Sequence, residues 1–404
     1  MPLQRLEQAF ILTLSASPGE PRLNLHIGQF TDSYPPIING VSAFITEHHN
    51  QLLKEGYDAY VFTFGYLNQN GTGVVRSPGF PYGLTQFRTN FFLDPRANKI
   101  ANSLNIYHIH EPFGIGRLAL KIARERHFPV IYTNHTRHDM YVDHYPAPLR
   151  PPFQQHVRQA VASFIRASAV SSAPSEATAQ WMRSLAPDAA DRVQVMHNGI
   201  NLAAFDCVAT PAARSELGIA EDSTIFIYVG RLTPEKDLHV FANAFVEAVK
   251  AGADADWIIV GEGRVQPALE ELVEPVKEKV RFLGVLPRAE IPRYLAMADA
   301  FATSSLTEVN PLSVIEAMAA GKPFLGLQSP WWDEFADHER AGILTAHDTP
   351  SLVKGIMRLC QDRAGRREMG IQAKQISHQF DIRNVTAQWL EIYEKTAQLA
   401  EFSR

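Results

Sequence analysis

Cysteine is nearly missing: Cys207 and Cys360 are the only two in 404 residues. They are too few and too far apart for a disulfide framework or a zinc site, which suits a reducing compartment. No stretch reaches the roughly 18 consecutive apolar residues of a spanning helix. The opening segment "RLEQAFILTLSASPGEPR" has a short apolar run, with Glu7 where a signal peptide carries positive charge. Residues 1–22 are therefore read as an extension. An excess of positive charge is missing as well, and the formal net charge of −5 excludes a generally basic nucleic-acid binder. The usual catalytic signatures are equally sparse. "DAD" at 254–256 precedes a strand instead of ending one, "GIGR" and "GEGR" fall short of a dinucleotide fingerprint, and no G-x-S-x-G occurs. No metal and no cofactor are expected.

What is present is enough for two cores. A chain of 404 residues with 46% apolar content exceeds what one core serves, so two domains are expected. Charge is divided unevenly between them: residues 1–200 sum to +3 and residues 201–404 to −8. From "LNLHIGQF" (23–30) through "DAYVFTF", "IYHIH", "FPVIYTNH" and "RVQVMHNG", short apolar strands alternate with helical patterns. This alternation predicts a doubly wound α/β domain with a parallel sheet over 23–205. It restarts at "STIFIYVGR" and continues through "DWIIVGEG", "VRFLGV", "DAFATSS" and "KPFLGL", giving a second such domain over 206–384. The stretch 385–404, with Val385, Trp389, Ile392 and Leu399 at helical spacing, reads as a helix packing back on the first domain. Ligands in such sheets lie beyond the carboxyl ends of the strands.

One segment combines several signals. In "SLTEVNPLSVIEAMAAGKP" (305–323), Asn310 as N-cap, Pro311 at the first helical position and Gly321 past the last turn delimit a helix. Glu308 stands on the loop above its mouth and Glu316 in its second turn. The unpaired N–H groups of Leu312 and Ser313 favour an anion there, and the two carboxylates favour hydroxyl groups on either side of it. A capped surface helix with two solvated acids is the alternative. "GRLTPEKD" places Arg231 and Lys236 at the end of another strand, as anion ligands or as a solvated charge run. Gly40, after the first strand, admits close backbone approach or serves as a turn glycine.

In the order "NGVS", "HIHEPFGIG", "YTNHTRHDMYVDHY", "VQVMHNGIN", "YVGRLTPEKD", "IIVGEGR", "RFLGVLP" and "TEVNPLSVIEAMAAGKP", the chain resembles the retaining nucleotide-sugar glycosyltransferases of family 4, which have the GT-B fold of two Rossmann-like domains facing across a cleft. The resemblance spans residues 23–345. It implies transfer of a sugar from a nucleoside diphosphate sugar, UDP-linked, to an acceptor hydroxyl, without a metal. Glu308 and Glu316 correspond to the E-x7-E signature, facing donor sugar and ribose; Arg231 and Lys236 to the basic pair on the diphosphate; Gly40 to the loop approaching it; His135 to the histidine beside sugar and acceptor. Read alone, His135 is a strand-end histidine satisfied by backbone. Two departures stand out. Val309-Asn310-Pro311 replaces the usual Gly-Phe-Gly, and Trp331 with Trp332 replaces a glycine-rich phosphate loop.

The stretch "HTRHDMYVDHY" is similar to bacterial enzymes that glycosylate diacylglycerol, which implies a lipid acceptor and a cytoplasmic protein peripheral to the inner membrane face. The helical stripe Phe153, Val157, Val161, Phe164 with Arg150, Arg158 and Arg166 reads either as a membrane-resting amphipathic helix or as an ordinary domain helix. Other readings are a sugar-nucleotide epimerase of similar fold, a non-catalytic nucleotide-sugar binder, and a glycoside hydrolase. The hydrolase leaves the basic pair unexplained.

Overall fold

The computed structural model describes residues 24–65, 71–81, 87–140, 147–206, 208, 211–330, 332 and 338–402. The N-terminal extension, Trp331, Cys207 and residues 141–146 of the "HTRHDMYVDHY" stretch lie outside them.

Most apolar runs form short parallel strands, as expected when both faces of a sheet are covered. The first sheet has the order β3 (Val74–Ser77), β2 (Asp58–Phe64), β1 (His26–Phe30), β6 (Ile106–Ile109), β7 (Val130–Thr133), β8 (Val170–Ala173), β9 (Val193–Val195). The second runs β12 (Val280–Gly284), β11 (Ala255–Val260), β10 (Thr224–Val229), β13 (Ala300–Ala302), β14 (Phe324–Leu327), β15 (Gly342–Thr345). Every pairing in both sheets is parallel. A two-stranded antiparallel ribbon joins β4 (Phe80–Pro81) to β5 (Arg88–Thr89). Strand order reverses between β1 and β6 and again between β10 and β13, so each domain opens a crevice at those carboxyl ends.

The chain crosses between the domains twice. Ile200 receives a backbone hydrogen bond from Ile382 and donates one to Phe380, at 2.9 and 2.8 Å. Gly199 lies so close that a Cβ there would stand 2.9 Å from the Ile382 Cα. After this second crossing the helix Ile382–Phe402 lies on the first domain, against the helix Gly40–Lys54 and β6. Trp389 and Tyr393 are fully buried beneath it. The Tyr393 hydroxyl bonds both His48 Nε2 (3.0 Å) and His108 Nδ1 (2.8 Å), while His48 Nδ1 meets Thr386 Oγ1 at 2.9 Å. Burial depresses His48 to about 3, so it is neutral at physiological pH.

The helix Arg150–Ala167 settles the two readings of its stripe. Val157, Val161 and Phe164 are buried in the first domain's core, with Phe153 packed against it. Arg158 pairs with the buried Asp139 at 3.5 Å and Arg166 with Asp188 at 2.8 Å. That stripe is a domain face and is not offered to lipid. No described helix is long and apolar enough to cross a membrane.

Tyr393→Phe removes the one hydroxyl shared by two buried imidazoles, and each nitrogen left unpaired costs about 1–3 kcal/mol. Urea unfolding should show a loss of roughly 2 kcal/mol or more, with the fold retained.

Candidate active site

At the crevice of the second sheet, three loops are stitched side by side. Gly230 N–H donates to Val260 O (3.0 Å), Leu232 N–H to Glu262 O (2.9 Å), and Gly261 N–H to Gly284 O (2.8 Å). This closeness needs glycine: a Cβ on Gly261, whose φ is +133°, would lie 1.9 Å from Gly230 O. The glycines of "GEGR" therefore serve loop packing. The next turn, Pro234–Lys236, ends at Asp237 in the left-handed region (φ 52°), where His347 Nε2 meets its carboxylate at 2.8 Å. From the loop after β13, Ser304 Oγ donates to Asp237 O (2.8 Å) and Thr307 Oγ1 to Glu235 O (3.2 Å).

This lacing brings Lys236 Nζ to 2.5 Å from Glu308 Oε1, both side chains mostly buried. Arg231 lies on the same loop, yet its guanidinium turns to Glu235 at 3.3 Å and stays about half exposed. The helix beyond Glu308 starts one residue later than the sequence suggests. Pro311 is the N-cap, with ψ at 92°, and the helix is Leu312–Ala319. Asn310 is not the cap; its Oδ1 is buried without a hydrogen bond. The fixed φ of proline suits either position, so the Asn-Pro pair does not itself decide where helical ψ begins. Val314 and Ile315 N–H bond Pro311 O, which leaves the Leu312 and Ser313 N–H groups pointing out of the first turn.

Glu316 is buried, and Arg288 from the loop after β12 holds it at 2.9 Å. Burial raises the Glu316 carboxyl above its ordinary range, with Arg288 countering that rise. Across the cleft stands Gly40, the first residue of the helix Gly40–Lys54, which is capped by Asn39 Oδ1 on Ser42 N–H at 2.8 Å. A Cβ on Gly40 would lie 3.7 Å from Leu312 Cδ1, so the starts of two helices, one from each domain, face each other. Both are positive dipole ends.

His135, at the end of β7, is buried; its Nε2 meets His110 Nδ1 at 2.9 Å. Burial depresses it to about 3. The histidine is thus satisfied on one side by a second imidazole and not by backbone. Next to it, at the ends of β1 and β6, two carboxyls come together. Glu111 accepts from Thr31 Oγ1 (3.0 Å) and Asp32 N–H (3.2 Å), and Asp32 Oδ1 accepts from Ile115 N–H (3.1 Å) at the start of the helix Gly114–Glu125. Burial first, and Asp32 second, push Glu111 up to about 8. Single-chain reading gave Asp32, His110, Glu111, Asn198 and Arg288 no role. "HIHEP" carried the signal for His110 and Glu111, but their partners come from other strands. Trp332 is a core residue, stacked on Phe324 at 4.8 Å.

Two family models tile the chain: "Glycosyltransferase Family 4" matches residues 38–204 and "Glycosyl transferases group 1" matches 210–376. The chain is 28% identical to an alpha-monoglucosyldiacylglycerol synthase of Acholeplasma laidlawii over 84% of its length and 89% of that protein. It is 28% identical to the enzyme of the same name from Streptococcus pneumoniae over 79% and 75%. Among solved structures it resembles Anabaena HepE, crystallised with UDP and glucose (TM-score 0.68, 19% identity, 91% of this chain and 99% of that one). It also resembles a sucrose-phosphate synthase from Thermosynechococcus elongatus (TM-score 0.72, 17% identity, 91% and 98%).

The acid pair makes a prediction of known sign. A carboxyl raised in the fold binds its proton more tightly folded than unfolded, so its contribution is present below the ordinary carboxylate range and lost as pH rises through about 8. The melting temperature should fall between pH 6 and 9, and Glu111→Gln should flatten that fall. A wild-type profile flat over this range would contradict the assignment.

Proposed function

Because the chain belongs to the GT-B glycosyltransferases that these two family models describe, we propose that it is a retaining, metal-independent enzyme that moves a hexose from a nucleoside diphosphate sugar, UDP-linked, to a lipid hydroxyl. The observation that carries this reading is the Lys236–Glu308 contact beside a helix start that faces the helix start at Gly40. A diphosphate entering between the two helix starts meets outward N–H groups and draws Lys236 away from Glu308. Glu308, released, accepts from the donor sugar's hydroxyls; Glu316 accepts from the ribose.

As the bond from the anomeric carbon to the phosphate oxygen breaks, its electron pair goes to the departing diphosphate. Lys236, Arg231 and the Leu312–Ala319 helix stabilise that charge, the main electrostatic demand of the step. The acceptor oxygen bonds the anomeric carbon on the face the diphosphate leaves, and its proton passes to a phosphate oxygen. Retention follows from this same-face arrival. Closure of the two domains keeps water from competing. The lipid acceptor is supported by the relatives that act, by name, in making monoglucosyldiacylglycerol, and by the coverage of most of their length.

Lys236→Ala should lower turnover by about 100-fold or more, since it removes the nearest countercharge; near-normal transfer would end the proposal. In a thermal-shift panel of nucleotide sugars, UDP-glucose should raise the melting temperature most, and EDTA should leave transfer unchanged. Transfer to diacylglycerol in vesicles but not to soluble sugars would support the lipid acceptor, and the reverse would overturn it.

A further inference from the structure

Among the described side chains, the exposed phenylalanines fall in one short stretch: Phe80 is 68%, Phe91 88% and Phe92 62% exposed. Phe80 begins β4, and the Phe91–Phe92 pair follows β5, its antiparallel partner. The turn that carries the pair is fixed from behind. Asn90 Nδ2 donates to Pro78 O (2.8 Å), Asn90 Oδ1 accepts from Phe91 N–H (2.7 Å), and the next residue, Leu93, is buried. A single apolar side chain on a surface needs no explanation, but adjacent aromatic rings held outward by an ordered turn leave apolar area that a partner covers.

This ribbon leaves the first sheet at the carboxyl end of β3, the end of the sheet where Gly40 and His135 stand. Arg76 of β3 donates to Pro35 O (2.6 Å) in the loop before the Gly40 helix, and Ser77 Oγ donates to Asp94 Oδ2 (2.9 Å) just after the aromatic pair. The aromatic tip therefore stands at the rim of the cleft.

Behind the tip the surface is basic. The helices Pro95–Ala101 and Gly114–Glu125 pack into the same core, Arg126 Nη2 links them through Asn98 Oδ1 (3.4 Å), and the second also touches β5. Arg96, Lys99, Lys121 and Arg124 on these helices are exposed. Residues 88–126 hold seven Lys/Arg against three Asp/Glu, whereas residues 1–200 sum to only +3, so the excess positive charge of the first half lies here. The three acids offset little of it. Glu111 is buried, Asp94 accepts from Ser77 and from the Arg96 and Ala97 N–H groups, and Glu125 stands 3.9 Å from Lys121. The outward field is positive beside an apolar tip.

We propose that Phe91 and Phe92, with Phe80 alongside, enter the headgroup layer of an anionic bilayer while Arg96, Lys99, Lys121 and Arg124 lie against its lipid phosphates. An apolar insertion and a basic patch are the two signals that together hold a protein on a membrane surface. This face does what the buried stripe of the helix Arg150–Ala167 does not. The proposal rests on the lipid-acceptor reading above only for its purpose, which is to bring the cleft rim to the depth of a lipid hydroxyl; docking itself requires neither donor nor turnover.

The test is co-sedimentation of the full-length protein, without nucleotide sugar, on vesicles of phosphatidylcholine alone and of phosphatidylcholine with phosphatidylglycerol. Binding should require phosphatidylglycerol and weaken at high salt. Phe91→Ser/Phe92→Ser should lower partitioning by about tenfold or more, and Arg96→Glu/Lys99→Glu/Lys121→Glu by about 100-fold or more. Lys250→Glu/Lys277→Glu/Lys354→Glu makes the same charge change on the second domain and should leave binding intact. All these side chains but the phenylalanines are exposed cations, so every variant should melt with the wild type. Equal binding to both vesicles, an unaffected phenylalanine variant, or an equal loss in the second-domain variant overturns the proposal. So does a wild-type dimer that the phenylalanine substitutions make monomeric with vesicle binding unchanged, which would assign the face to a second copy of the chain. Docking as expected without transfer to diacylglycerol would count against the lipid acceptor alone, and transfer to diacylglycerol in detergent micelles without vesicle binding would count against docking alone.

Discussion

Tyr393 offers one hydroxyl to two buried, neutral imidazoles, and the relation of the two domains depends on that sharing. His48 belongs to the helix that begins at Gly40, and His108 to the central strand of the first sheet. By binding both, the last helix ties the Gly40 helix to its own sheet. Where the last helix begins, the two segments that cross between the domains are bonded to each other at Ile200, Phe380 and Ile382. The position of Gly40 opposite Leu312 is the outcome. A cleft whose walls come from different domains needs such a tie to keep Gly40 opposite Leu312.

Within the cleft the charges are stored in pairs. Lys236 holds Glu308, Arg288 holds Glu316, and Arg231 holds Glu235. A partly buried charge without a partner is costly, so an unliganded site that needs both acids and bases is most stable when each neutralises another. The same pairing has a functional side. An anion that takes Lys236 frees Glu308 at the moment a hydroxyl-bearing group arrives beside it, so ligand affinity carries the cost of parting the pair and specificity rises with it.

Much of this was legible in the chain. The strands β1, β2, β6, β7, β10, β11 and β14 are buried and stand out as short, largely apolar runs. β8 was not visible, because "VSSA" is rich in serine. Its Ser171 and Ser172 are nonetheless fully buried: Ser172 Oγ bonds Thr133 Oγ1 at 2.7 Å, while Ser171 Oγ is buried without a hydrogen bond. β3 and β15 lie at sheet edges and are short. For the site, the spacing of Glu308 and Glu316 around a helix start could be read directly because it is local. The exact cap could not, since Asn and Pro each suit more than one position. The His110–His135 pair and the Arg288–Glu316 pair join residues 25 and 28 positions apart through sheet order, which one sequence does not display.

The route of the last helix also bears on how the molecule is made. The first domain's sheet is complete by residue 195, yet the polar surface at His48 and His108 stays uncovered until residues near 393 leave the ribosome. Domains fold as units during synthesis. Here the earlier unit must wait through translation of the entire later one before its own interior is sealed, so a pause or early stop anywhere in the second half leaves an unfinished first half exposed to chaperones and proteases.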